Sequence, residues 1–194
     1  EIKPILHAVA VSPELKIIVD SSSCYVDNMI YEKNSKSLGI VYPDEGTIYI
    51  GAKYEDDTER RRVVGCLIHE LTHYAMKLTY LNNCKPYGND PAKKQRFDEI
   101  TNELHSRFSN DPAHLNEWIS AVFRNYDRDL WHAELIVQMP QLLAQYHGTA
   151  DLEPFKEAYS DLYNFYVETI KDVTNETEKN EIFMYFDSNT RKIP

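Results

Sequence analysis

The chain has 194 residues, 42% of them hydrophobic and 27% charged, a balance that predicts one soluble globular domain with a core of its own. Its net charge of −10 comes from scattered acidic residues, and without a Lys/Arg patch to displace counterions no nucleic-acid partner is expected. No apolar run approaches the ~18–20 residues of a membrane span, so no membrane segment is expected.

Cys24, Cys66 and Cys84 are an odd, sparse set. They do not form a disulfide framework, which points to a reducing, cytoplasmic setting. The opening Glu-Ile-Lys-Pro has neither an initiator Met nor an apolar leader, so residues 1–194 read as a single domain excised from a longer protein, or as a processed product. The sequon Asn175-Glu176-Thr177 is the one hint of secretion.

The first ~55 residues carry strand signals. Leu15 to Val19 is a short apolar run. Leu38–Tyr42 and Thr47–Ala52 flank the turn tetrad Pro43-Asp44-Glu45-Gly46, which predicts a hairpin. Asp56 and Asp57 supply the N-terminal chemistry of a long helix ending near Asn82-Asn83. Asp90-Pro91 opens a helix to about Phe108, and Asp111-Pro112 another through Trp118 and Phe123. A further helix runs from about Asp127 to His147, closed by Gly148 and containing Pro140. The next spans Asp151 to Lys171, with Phe155, Tyr159, Leu162, Tyr163 and Tyr166 as its apolar side. Ile182 to Phe186 fits a last helical turn or a strand. The expected fold is α+β, a small N-terminal β-sheet followed by a mostly helical body.

Inside the first long helix lies His69-Glu70-Leu71-Thr72-His73. Residues four apart on a helix sit one turn apart on the same side, so two imidazoles converge on one ion. Zinc accepts imidazole nitrogen at ~2.0–2.1 Å, and a catalytic site leaves one position for water. Glu70 sits beside the pair, placed to take a proton from that water and hand it to a leaving amine. At about 100° per residue, with His69 at zero, His73 falls near 40°, Cys66 near 60° and Glu70 near 100°. Val64, Leu67, Ile68, Leu71, Ala75 and Leu78 fall on the opposite side, as a core face should.

This H-E-x-x-H motif resembles that of the zincin metallopeptidases. The resemblance implies a motif helix packed beside a small sheet, with an edge strand, here from the N-terminal hairpin, that aligns an extended peptide. It also implies one zinc ion and a peptide or protein substrate. The longer run from His69 to Gly88 is similar to metallopeptidase-like modules at the ends of large invertebrate ankyrin-repeat proteins.

Two histidines are too few for a catalytic zinc, and the Gly and third His that follow the motif in metzincins are absent from Lys77 to Leu81. Glu134 is the expected third ligand. It lies in a nearly apolar helix, where an unpaired carboxylate is costly, and gluzincins resemble this in carrying a ligand Glu on a second helix. Gln138, one turn on, stands where many gluzincins place an Asp, and its amide oxygen can accept a ring N–H. His105, His132, Asp98, Glu99, Glu103 and Cys66 are the competitors. His105 is expected at the surface, and His132 cannot share a face with Glu134. Tyr126, Arg128, Tyr146 and His147 are candidates to stabilise an oxyanion, and the sequence selects none of them.

Zinc endopeptidase is the leading expectation, with Glu70 as general base. A zincin-fold sensor or regulatory module that cleaves nothing, or one target only, is the alternative, and a structural zinc site with four protein ligands is a third. Neither rival needs a base at position 70.

Overall fold

The computed structural model describes residues 3–10, 15–28, 35–42, 45–79 and 86–190. A three-stranded sheet in the order β1-β5-β4 lies against the long helix. β1 (Lys16–Asp20) runs parallel to β5 (Thr47–Gly51), and β4 (Gly39–Tyr42) pairs antiparallel with β5, Ile40 opposite Tyr49. The expected hairpin is therefore present, with Gly46 at φ 60° in its turn, a conformation glycine adopts without penalty. Ile48 and Ile50 alternate inward from β5, as a strand with one buried face requires.

Three N-terminal elements were not expected from the sequence. α1 (Lys3–Ala10) is a helix, and β2 (Val26–Asn28) and β3 (Ser35–Ser37) form a second, two-stranded sheet. Ile5 of α1 is fully buried, so tertiary packing stabilises a helix too short to stand alone.

The motif helix is α2 (Asp57–Thr79), started by Asp56, whose carboxylate accepts from the Glu59 N–H at 2.8 Å; residues 80–85, into which it was expected to run, lie outside the described residues. α3 (Pro91–Asn110) begins as expected, the Asp90 carboxylate capping the N–H groups of Ala92 and Lys93. The helix expected from Asp111-Pro112 is broken: Pro112–His114 is a single 3-10 turn, and α4 (Glu117–Asn125) starts anew from an Asn116 cap. Asn116 accepts from Trp118 N–H at 2.9 Å, a stronger start signal than the proline four residues earlier supplies.

α5 (Trp131–Tyr146) begins four residues later than expected, because residues 127–130 form a turn; it ends before Gly148, at φ 73°. The helix expected from Asp151 to Lys171 is two, α6 (Leu152–Ala158) and α7 (Ser160–Thr190), separated at Tyr159. α7 also contains Ile182 to Phe186, which settles that segment as helix.

The product is a mixed α+β fold, mostly helical, whose core gathers Ile48, Ile50, Ile68, Leu71, Phe97, Ile119, Leu135, Leu142, Phe165 and Tyr166. Ile68, Leu71 and Ala75 of α2 face it as expected. Val64 does not: it is 47% exposed, and it is its neighbour Val63 that packs against the core. The opposite, polar side of α2 is covered too, because α5 packs along it.

Candidate metal centre

α2 and α5 cross antiparallel. Glu134, in the first turn of α5, faces His69 and His73, whereas the His147 carbonyl just past the end of α5 accepts from Arg61 Nη1 at 2.9 Å, near the start of α2. This crossing brings a carboxylate to the imidazole pair that the four-residue spacing had already aligned.

The three side chains form a triangle of donor groups, with one Glu134 oxygen facing each imidazole. His69 Nε2 and His73 Nε2 are 3.2 Å apart. Glu134 Oε2 is 3.4 Å from His69 Nε2, and Oε1 is 3.4 Å from His73 Nε2. Tetrahedral coordination with bonds of ~2.0–2.1 Å separates neighbouring ligand atoms by about 3.3–3.4 Å. The donor set and its spacing therefore fit an ion of zinc's size. Among the described residues this is the one group of three or more His, Cys, Asp and Glu side chains able to hold an ion.

All three are buried, His69 at 8% and Glu134 and His73 at 9% exposed. Burial alone would raise the Glu134 carboxyl, but the facing imidazoles outweigh it and hold the group below the usual carboxylate range. His69 Nδ1 has no hydrogen-bond partner, nor has Gln138 Oε1. With both Nε2 atoms turned toward one point, metal binding requires the Nδ1 atoms to carry the protons, and an acceptor for His69 Nδ1–H must come from this buried layer.

Glu70 is buried beside the triangle, under β4. Burial raises its carboxyl pKa, while the two histidines and a hydrogen bond from the Val41 N–H pull the other way without cancelling the rise. A carboxylate with a raised pKa is a competent proton acceptor near neutrality. Gly39 makes this close approach possible: a Cβ there would lie 3.0 Å from Glu70 Cγ and 2.8 Å from Ile50 Cδ1.

The competitors are placed elsewhere. His132 Nε2 pairs with Asp98 Oδ1 at 3.1 Å, on the side of α5 away from Glu134. His105 is not at the open surface as expected; it is half-buried among Phe108, Phe123 and Trp131, ring centroids 4.7–6.4 Å away. Cys66 is buried but its sulfur does not join the donor triangle. Its thiol is pushed up to about 12, by burial first and by Glu70 second, against a smaller opposing effect from Arg62.

Of the four residues considered for an oxyanion, the fold brings Tyr126 to the group. Its hydroxyl lies within hydrogen-bonding reach of Glu134, and burial together with the Glu134 and Glu70 charges raises its pKa. Tyr126 ends α4, and its carbonyl accepts from Trp131 Nε1 at 2.9 Å, which ties the ring to the start of α5. The Tyr146 hydroxyl accepts from Asn116 Nδ2 at 2.9 Å, Arg128 lies over the Trp131 ring, and His147 is exposed. Nothing in the sequence distinguishes Tyr126 from the other 13 tyrosines; its selection depends on how α4 meets α5.

Comparison with protein-family models, curated proteins and solved structures finds no match to this chain.

Proposed function

We propose that this chain is a zinc-dependent peptidase of zincin-like fold, with His69, His73 and Glu134 as metal ligands and Glu70 as general base. The observation that carries the reading is the donor triangle of His69, His73 and Glu134, with an unused carboxylate, Glu70, one residue along the same helix. His69, His73 and Glu134 would hold the zinc ion, which when bound would supply an activated water and polarise a peptide carbonyl. Glu70, steered by the Val41 N–H, accepts the water proton and returns it to the departing nitrogen. β4, hydrogen-bonded on one side to β5, runs past Glu70 as the edge against which an extended peptide would lie. Among the described residues no helix is long and apolar enough to cross a membrane.

A second reading, a metal-binding sensor that cleaves nothing, is favoured by the burial of all three ligands to 9% exposure or less. One experiment separates the two. Purified protein is expected to carry about one zinc per chain, lost in His69→Ala, and to cleave peptides of a broad library. Glu70→Gln should keep the metal and slow cleavage by about 10²–10⁴-fold, the share of a general base. Zinc bound without hydrolysis in the native chain selects the sensor; no zinc at all removes both.

A further inference from the structure

The polar side of α2 continues past the metal group. At about 100° per residue Arg62 falls within about 20° of His69, so Arg62, Cys66, His69 and His73 form one stripe along the helix. α5 answers with Gln138, Gln141 and Gln145, each three or four residues on from the last, starting one turn beyond Glu134. Gln145 lies flat across Gly65: a Cβ at that glycine would meet Gln145 Cγ and Nε2 at 2.6 Å. The absent side chain at position 65 makes room for the amide.

Three nitrogen donors along this seam are buried without a hydrogen-bond partner: Arg62 Nε, Gln141 Nε2 and Gln145 Nε2. Leaving a buried polar group unpaired costs about 1–3 kcal/mol, more where it is charged, so three together are a costly arrangement for packing alone. Arg62 forms no ion pair among the described residues, in contrast to Arg60, which meets Asp57 at 3.0 Å, and Arg96, which meets Glu168 at 2.8 Å. Gln141 is 1% exposed, whereas Arg62 and Gln145 are half-buried. The thiol between Arg62 and His69 stays neutral, since its pKa is pushed up to about 12. Along the seam three unpaired donors, one of them on a guanidinium, stand against a single unpaired acceptor, Gln138 Oε1, and this excess of donors matches a carboxylate. Arg62 lies seven residues from His69, about 10 Å along the helix axis, which a side chain on a peptide residue next to the bond at the metal can span.

We propose that the Arg62–Gln141–Gln145 seam is a subsite for a carboxylate side chain, Asp or Glu, of the peptide held at the metal centre. The subsite rests on the peptidase reading for its role and not for its chemistry, so the two are tested separately. In the first arm, N-acetyl-glutamate methylamide is titrated into metal-free, ¹⁵N-labelled protein. The Arg62 Nε–H and the Gln145 side-chain amide signals should shift, and N-acetyl-glutamine methylamide should leave them in place. Equal response to both probes, or to neither, overturns the subsite.

In the second arm, matched peptides with Glu, Gln or Lys flanking the scissile bond are compared with zinc-loaded protein. Glu should be favoured by about 10–100-fold in kcat/KM, the contribution of a hydrogen bond to a charged group. Arg62→Ala should bring Glu and Gln peptides to equal rates, Arg62→Glu should turn the preference toward Lys, and Arg60→Ala should keep the native order. Cleavage without preference for Glu overturns the proposal. Probe binding with no cleavage of any peptide leaves the subsite standing and removes the peptidase reading. Thermal melting of the Arg62 variants identifies any that fail to fold, in which case Arg62→Lys, which keeps the charge and loses the fork, carries the comparison.

Discussion

A Cβ at Gly39 would lie 3.1 Å from Glu70 Oε1, so any side chain at position 39 would require the proposed base to give by a few tenths of an ångström. The same strand supplies the Val41 N–H that hydrogen-bonds Glu70. Strand and carboxylate thus form one unit: the space that admits Glu70 and the donor that orients it both come from β4.

Gly39→Ala is therefore expected to hurt function more than stability. The atoms in the way are the tip of Ile50 and the Glu70 side chain itself, which can shift at a modest cost of about 1–3 kcal/mol. Moving Glu70 off its line should lower peptide hydrolysis about tenfold or more, since displacements of the order of 1 Å cost up to about 10²-fold. Zinc content, melting temperature and kcat measured on one preparation check this. A variant with native kcat and a lowered melting temperature would show that Gly39 serves packing alone.

Glu134 and His105 give opposite expectations for metal affinity. Glu134 completes the donor triangle at 3.4 Å from each imidazole, whereas His105 is wedged among aromatic rings. Chelator competition should show zinc binding weakened strongly in Glu134→Ala and unchanged in His105→Ala, which should lose stability instead. Gln138→Leu, which removes the orphaned amide beside the centre, should cost about 10–100-fold in affinity, as partners behind the ligands do. Metal lost with His105 and kept without Glu134 would remove the assignment.

Much of the candidate centre was legible in the sequence because its geometry is local. The four-residue spacing of His69 and His73 on a helix dictates that their rings converge, whatever surrounds them. Glu134 was legible for a different reason: a carboxylate among Leu135, Ile136 and Val137 has to meet a partner. Tyr126 was one of four candidates and could not be singled out, because its approach to Glu134 depends on how the turn at residues 127–130 sets α4 against α5. The Arg62 seam was not legible because it arises from the crossing of α2 and α5, helices far apart in sequence, and no periodicity encodes a crossing. The fold divides in the same way. The β4–β5 hairpin and the Asp90 cap follow from local turn and capping chemistry, whereas α1 is a helix because Ile5 is buried by its neighbours. The break at Asn116 was masked by Asp111-Pro112, a start signal that produced only a 3-10 turn.

Tyr126 should act on the metal through Glu134. Its hydroxyl reaches that carboxylate, so Tyr126→Phe should weaken zinc about 10–100-fold, as loss of an outer partner does. At saturating zinc, hydrolysis should then be close to native. A fall in kcat at full metal occupancy, with affinity intact, would instead make the hydroxyl a donor to the developing oxyanion.

Cys66 sets an expectation for alkaline pH. Its thiol is pushed from 9.0 up to about 12 in the folded chain, mainly by burial. Between those values the unfolded chain gives up this proton and the folded chain keeps it, so the folded state binds more protons. Stability must then fall as pH rises above about 9, by up to about 1.4 kcal/mol per pH unit, and level off near 12. Cys66→Ser removes the thiol and should flatten this decline while leaving stability below pH 8 to be set by packing alone. Urea unfolding of metal-free protein from pH 7 to 10.5 measures both curves. The same burial predicts that iodoacetamide at pH 8 leaves Cys66 unmodified in the folded chain and labels it after unfolding, read by mass spectrometry. Rapid labelling in the folded state, or an alkaline decline unchanged in Cys66→Ser, would show that the thiol is ionised and open to solvent beside the metal centre.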